Sequence, residues 1–198
     1  MVRPFVLSAA AAAMALNVAA VPAKADPIPT VIGVIAGLEF LWALADDTPQ
    51  PDKDRGFLIG GAGYFDVIQR DDSAGEFLAE FRAPFQVWKF KPMVGVFGTT
   101  DKAVGGYIGI HHDLNITDNL VLGANIAPTF YASGDGKHLG SWAVLRSGLE
   151  ISYRFENAMR ISATFHHMSH GEIFDDKNPG VEDAAITLSV PLDAVFGK

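Results

Sequence analysis

His167-Met168-Ser169 sets an imidazole and a hydroxyl two residues apart, and a carboxylate follows at Glu182. A serine hydroxyl is a poor nucleophile until a neutral imidazole takes its proton. A carboxylate on the other ring nitrogen then fixes the tautomer and stabilises the imidazolium. Residues two apart on a β-strand project from one face, so an extended His-x-Ser segment brings base and nucleophile to the same side. The chemistry suggested is acyl transfer, with Ser169 as nucleophile, His167 as general base and Glu182 as the orienting acid. It calls for no cofactor and no metal. A metal site from His166, His167 and His170 with Asp175 and Asp176 is the weaker reading, because strand parity sends His166 and His167 to opposite sides and the spacing matches no metal motif. His111 and His112 diverge for the same reason.

Such a site needs neighbouring strands, and from Gly56 onward the hydrophobic pattern has a period of two. Candidate strands cover 56–68, 75–84, 92–100, 104–113, 118–131, 141–155, 158–169 and 182–194, eight in all. Glu156-Asn157 is a tight turn and 115–118 a short one, whereas 131–137 and 170–181 are long. Short turns at one end and long loops at the other mark an outer-membrane barrel.

Within strand six, Leu145, Leu149, Ile151, Tyr153 and Phe155 share a face opposite Arg146, Glu150, Ser152 and Arg154. One such strand fits a soluble sandwich or a membrane barrel equally well. The polar set decides between them, since Glu80, Arg82, Arg146, Glu150, Arg154 and Arg160 suit a lumen packed with ion pairs. The predicted fold is all-β, an eight-stranded antiparallel transmembrane outer-membrane barrel, too narrow for an open pore. Gly60, Gly61 and Gly63 fit close packing rather than a phosphate cradle, as no helix follows them. Trp42, Trp88 and Trp142 are either interfacial belt residues or ordinary half-buried tryptophans.

The first residues specify export. Arg3 precedes an apolar run from Phe5 to Val21, and Ala23-Lys24-Ala25 is a signal-peptidase pattern, so residues 1–25 read as a cleavable signal peptide. Residues 26–55 read as a leader and linker, and 56–198 as the barrel. The stretch Val31 to Ala45 is apolar apart from Glu39 but falls short of the ~20 residues of a spanning helix. It is a short helix, a periplasmic leader or an uncleaved anchor. Removing Arg3 and Lys24 moves the net charge from −8 to −10, which argues against nucleic acid as a partner. There is no cysteine, so disulfide and thiolate–zinc chemistry are excluded.

Parity carried into strands seven and eight turns His167, Ser169 and Glu182 outward, onto the lipid face. With the N-terminus periplasmic, the loop between these strands is extracellular and the three residues lie at the outer leaflet. The substrate offered there is lipopolysaccharide, whose acyl esters lie near the headgroup boundary. Outward residues such as Phe165 and Met168, with neighbours on strands five and six, are candidates for an acyl groove.

The run LGSWAVLRSGLEISYRF (139–155) followed by FHHMSHGEIFDDKNPGVE (165–182) resembles the lipid A 3-O-deacylases, the PagL-type acyloxyacyl hydrolases. The resemblance is strongest over about 139–194. It implies an eight-stranded outer-membrane barrel with an external His-Ser-Glu triad, acting on lipid A. The family pattern is His-x-Ser-Asn and then Asn-x-Gly-x-Glu. Here it reads His167-Met168-Ser169-His170 and Asn178-Pro179-Gly180-Val181-Glu182, with His170 in place of the asparagine. Candidate oxyanion donors are Asn178, the backbone N–H of Gly171 and His170. The alternative is a non-catalytic small barrel with a structural or surface-binding role, and whether barrels pair as homodimers stays open.

Overall fold

The computed structural model describes residues 50–171 and 179–197, together with Gly37 and Leu41. Residues 1–25, expected to be a signal peptide, almost all of the apolar stretch, Trp42, Asp175, Asp176 and Asn178 lie outside the described residues. Eight strands follow in chain order: β1 Phe57–Phe65, β2 Ala74–Arg82, β3 Lys91–Thr99, β4 Val104–Asn115, β5 Leu120–Ala132, β6 Ala143–Arg154, β7 Arg160–Ser169 and β8 Val181–Pro191. Each pairs antiparallel with its chain neighbour, and β1 closes onto β8 from Phe57↔Pro191 to Phe65↔Asp183. A closed barrel leaves no edge strand and satisfies its backbone groups internally, which a lipid environment demands. A short helix, α1 (Leu192–Phe196), ends the described chain. No described helix is long and apolar enough to cross a membrane.

The expected alternation is present, and it is inverted relative to a water-soluble protein. Tyr64, Phe77, Val96, Ile108, Phe130, Ile151, Ile161 and Ile186 are exposed on the outer wall, while Glu76, Glu80, Arg82, Arg146, Glu150, Arg160 and Asp183 are buried inside. Charges leave water at acceptable cost only when paired and hydrogen-bonded. All of these but Glu76, whose two carboxyl oxygens have no hydrogen-bond partner among the described residues, have such partners. Arg82 reaches Glu80 and Glu150 at 2.6 Å each, and Arg160 reaches Asp113 at 2.8 Å. The gap among Arg82, Tyr107, Arg146 and His166 is about 10 Å³, room for roughly one water. Side chains fill the barrel, as its strand number requires.

Close approach of β1 to β8 rests on Gly63. A Cβ there would lie 2.0 Å from the Ala184 carbonyl oxygen and 2.6 Å from the Ala185 Cα. Gly61 faces Thr187 in the same way, whereas Gly60 points outward into open space. Close packing is therefore the role of two of the three glycines.

Each end of the lumen is sealed differently. At the end carrying the longer loops, Phe65, Phe97 and Tyr131 stack with centroids 6.1 to 6.4 Å apart. Leu139, Val144, Met168 and Val181 join this apolar cluster. Met168 thus faces the interior with no exposed surface, which removes it from the outer acyl groove expected from sequence. Its even-numbered position on β7 puts it on the side opposite His167 and Ser169.

At the other end, the last part of the polar linker folds into the mouth of the barrel. Asp52 is 3% exposed and pairs with Arg160 at 2.6 Å and Arg154 at 2.9 Å. Lys91 donates to the Arg55 carbonyl at 2.6 Å. Trp88 lies in the turn before β3 and Trp142 just before β6, at opposite ends of the barrel and 70% and 69% exposed. Trp142 stacks on Phe130 at 5.5 Å. Two exposed indoles at opposite ends suit the two interfaces of a bilayer.

Candidate active site

The register of β7 against β8 puts His167 directly opposite Glu182. Their side chains meet on the outer wall, with His167 Nδ1 donating to Glu182 Oε1 at 2.8 Å. A carboxylate can only accept, so the proton of this bond belongs to the ring nitrogen, and a neutral imidazole then carries its lone pair on Nε2. Glu182 is 1% exposed although it points outward. Its carboxylate is in contact with the imidazole, and the Val67 amide of the β1–β2 loop donates to its backbone carbonyl at 3.0 Å.

Ser169 lies two residues past His167 on the same face, opposite Leu145 of β6, and is 8% exposed. Among the described residues no hydrogen bond joins Ser169 to His167; shared strand parity is what brings them together. Catalytic hydrogen bonds often tighten only when substrate binds. Phe165 continues the outward row below His167 and is half-buried, and Ser147 of β6 pairs with His167 from the other side.

The candidate oxyanion donors fall at the loop that follows. Gly171 has φ +60° and open space beside it, and His170 is buried. Asn178 lies outside the described residues.

Two features of this site were not assigned roles from sequence. Gly180 is buried with φ +62°, and a Cβ on it would come within 2.9 Å of the His167 Cε1. Glycine is thus required twice over, by a left-handed backbone and by contact with the imidazole. Its place in the Asn-x-Gly-x-Glu pattern was the available signal. The second feature lies behind the wall: His166 pairs with Asp183 at 2.9 Å and Arg146 reaches the same carboxylate at 3.2 Å. This inner pair occupies the next rung of the β7–β8 ladder, so polar contacts on both faces pin these strands at the level of the outer pair.

An apolar groove of about 810 Å³ lies elsewhere, on the wall formed by β2 to β5, bordered by Phe77, Val96, Gly106, Phe130 and Trp142. It is not at the His-Ser-Glu cluster, whose side chains belong to β7 and β8.

Residues 82–191, more than half of the chain, match the family model described as Lipid A 3-O-deacylase (PagL). The chain belongs to the lipid A 3-O-deacylase family. The match spans β3 to β8 and so includes the whole cluster described above. The crystal structure of the outer membrane enzyme PagL is similar with a TM-score of 0.55 at 12% identity, covering 68% of this chain and 99% of that one. A structure from the de novo design of transmembrane β-barrels is similar with a TM-score of 0.53 at 8% identity, covering 72% and 99%. At such identities the likeness is one of fold, and an enzyme and a designed barrel share it. The deacylase family is recognised by its sequence pattern and not by barrel shape. Among curated proteins there is no match.

Proposed function

We propose that this member of the deacylase family is an outer-membrane esterase that hydrolyses the ester-linked 3-position acyl chain of lipid A by a Ser-His-Glu mechanism. The observation that carries this reading is the His167–Glu182 hydrogen bond of 2.8 Å on the lipid-facing wall, with Ser169 two residues along the same row. An ion pair placed for stability alone belongs inside this barrel, where all the other strand-borne carboxylates lie buried among cations or polar groups.

In this mechanism Ser169 Oγ attacks the acyl carbonyl carbon while its proton passes to His167 Nε2. The carbonyl oxygen becomes an oxyanion, for which the Gly171 N–H, Asn178 and His170 are the candidate donors. Collapse breaks the ester bond, and the imidazolium returns its proton to the departing sugar hydroxyl. Water, deprotonated by the same imidazole, then attacks the acyl-serine, releasing a fatty acid and restoring Ser169. Glu182 holds the ring throughout and stabilises its charged form. With the N-terminus periplasmic, β7 runs outward and the triad meets the outer leaflet, where lipid A resides.

Mass spectrometry of lipid A from cells expressing the chain is expected to show loss of one hydroxyacyl chain. Cells expressing Ser169→Ala, with the barrel folded, keep it. An unchanged lipid A profile with well-folded wild-type protein would sink the enzyme reading.

A further inference from the structure

The cluster on the outer wall is held from above by two loops distant in sequence. Lys137, from the loop between β5 and β6, is buried, and its ammonium lies 2.7 Å from Asp66 Oδ1 and also donates to Gln69 Oε1. Gln69 turns its amide the other way, with Nε2 donating to the Pro179 carbonyl at 3.0 Å. Pro179 is bonded to Gly180, the residue that lies against the His167 ring.

The β1–β2 loop is itself built to hold this geometry. The Asp72 amide donates to Asp66 Oδ2 at 2.9 Å, and Ser73 Oγ donates to the Asp66 carbonyl at 2.9 Å. Burial opposes ionisation of Asp66, but the Asp72 amide and the Lys137 ammonium outweigh it and hold its carboxyl below the usual range. The Lys137 carbonyl in turn accepts from Tyr131 Oη at 2.7 Å, which anchors the β5–β6 loop on the apolar plug of the lumen. Both loops therefore have fixed ends where they meet Pro179.

Resting on the serine mechanism proposed above, we propose that Asp66, Gln69 and Lys137 form a latch that positions the His167 imidazole by seating Gly180 against its Cε1 edge. Cε1 lies between the two ring nitrogens. With Nδ1 held by Glu182 and Cε1 so close to Gly180 that an added Cβ would lie only 2.9 Å away, rotation of the ring about its Cβ–Cγ bond meets backbone, and the position of Nε2 is fixed with it. Gln69 is the link that matters most, since its side chain bridges Lys137 and the Pro179 carbonyl. The three are positioning residues; none of them touches the reacting atoms.

The test uses the full chain in vesicles containing purified lipid A, comparing wild type, Ser169→Ala, Gln69→Ala, Gln69→Glu and Lys137→Met. Heat-dependent electrophoretic mobility reports the folded barrel. Gln69 is exposed, so its variants keep the barrel even where burying a methionine at 137 does not.

For Gln69→Ala, kcat falls ~10- to ~100-fold with KM near the wild-type value, the scale expected when a reacting group is displaced by about 1 Å. Gln69→Glu loses as much, because its carboxylate still accepts from Lys137 but has no proton for the Pro179 carbonyl. The double variant Gln69→Ala/Lys137→Met falls no further than the worse single, as expected for two groups acting through one contact. Wild-type kcat in both Gln69 variants, or a change confined to KM, overturns the latch. If Ser169→Ala is dead in the same vesicles, that result leaves the serine mechanism standing. A Ser169→Ala variant as active as wild type overturns the mechanism and the latch with it.

Discussion

At the scale of single residues, the geometry turns on which nitrogen of His167 carries a proton. The 2.8 Å contact to Glu182 holds it on Nδ1. Glu182→Gln keeps the size and burial of this side chain but offers an amide N–H to the ring, which favours the tautomer with its lone pair on the wrong nitrogen. In lipid A hydrolysis kcat is expected to drop by roughly 10³–10⁴, the scale on which a serine triad loses rate when its acid becomes an amide. The barrel should unfold as wild type does, since the rest of the β7–β8 ladder is unchanged. A variant with near-wild-type kcat would show that Glu182 is structural. His170, which stands where the family pattern has asparagine, is buried at the loop start; with Gly171 it is a proposed oxyanion donor.

At the scale of elements, the period of two was legible because lipid outside and charge inside leave every strand with two chemically distinct faces. The row Arg146, Gly148, Glu150, Ser152, Arg154 and the row Leu145, Leu149, Ile151, Tyr153 separate in the structure as they do on paper. The outward position of His167 and Ser169 followed from the same count, whereas Met168, placed outward on its apolar type against that count, lies inside. Register is another matter. Whether Glu182 faces His167 or a neighbouring rung depends on the length and path of the connection between β7 and β8, which a two-residue period does not encode. Contacts such as Gln69 to Pro179 join positions far apart in irregular segments, where no periodicity exists to be read. Asp52 was hidden by its surroundings: a proline-rich acidic stretch resembles a solvated linker, and only the arginines at the barrel mouth give it a buried partner.

The closing seam between β1 and β8 is an element-scale feature with a direct test. A side chain at Gly63 must displace the Ala184 backbone, so Gly63→Val is expected to destabilise the barrel by about 1–3 kcal/mol or more. Urea titration of the protein in detergent micelles would measure it. Gly60→Val, one turn of the pleat away on the open outer face, is the control and should be close to neutral. Equal midpoints for the two variants would mean that the seam relaxes without cost.

For the whole molecule, stability depends on a lumen in which buried arginines are matched by carboxylates. Arg82 holds Glu80 and Glu150 together, so Arg82→Met leaves two buried carboxylates without their cation. Breaking a buried pair in this way costs about 3–5 kcal/mol, and the expected result is a marked fall in the urea midpoint. Replacing all three by apolar residues of similar size should recover much of the loss, because the penalty comes from unmatched charge and not from the absence of ion pairs. A midpoint for Arg82→Met equal to that of wild type would show that water enters and screens the pair.

The filled lumen also determines how substrate must arrive. With side chains filling the described lumen and the proposed His-Ser-Glu row on the outer wall, the proposed reaction is confined to a plane. The quantity that governs its rate is then the number of lipid A molecules per unit area of leaflet, not per unit volume of solution. Diluting lipid A with an inert phospholipid inside each vesicle should slow turnover in proportion once the site is unsaturated. Diluting the vesicles themselves, each already carrying its enzyme, should leave turnover per barrel unchanged.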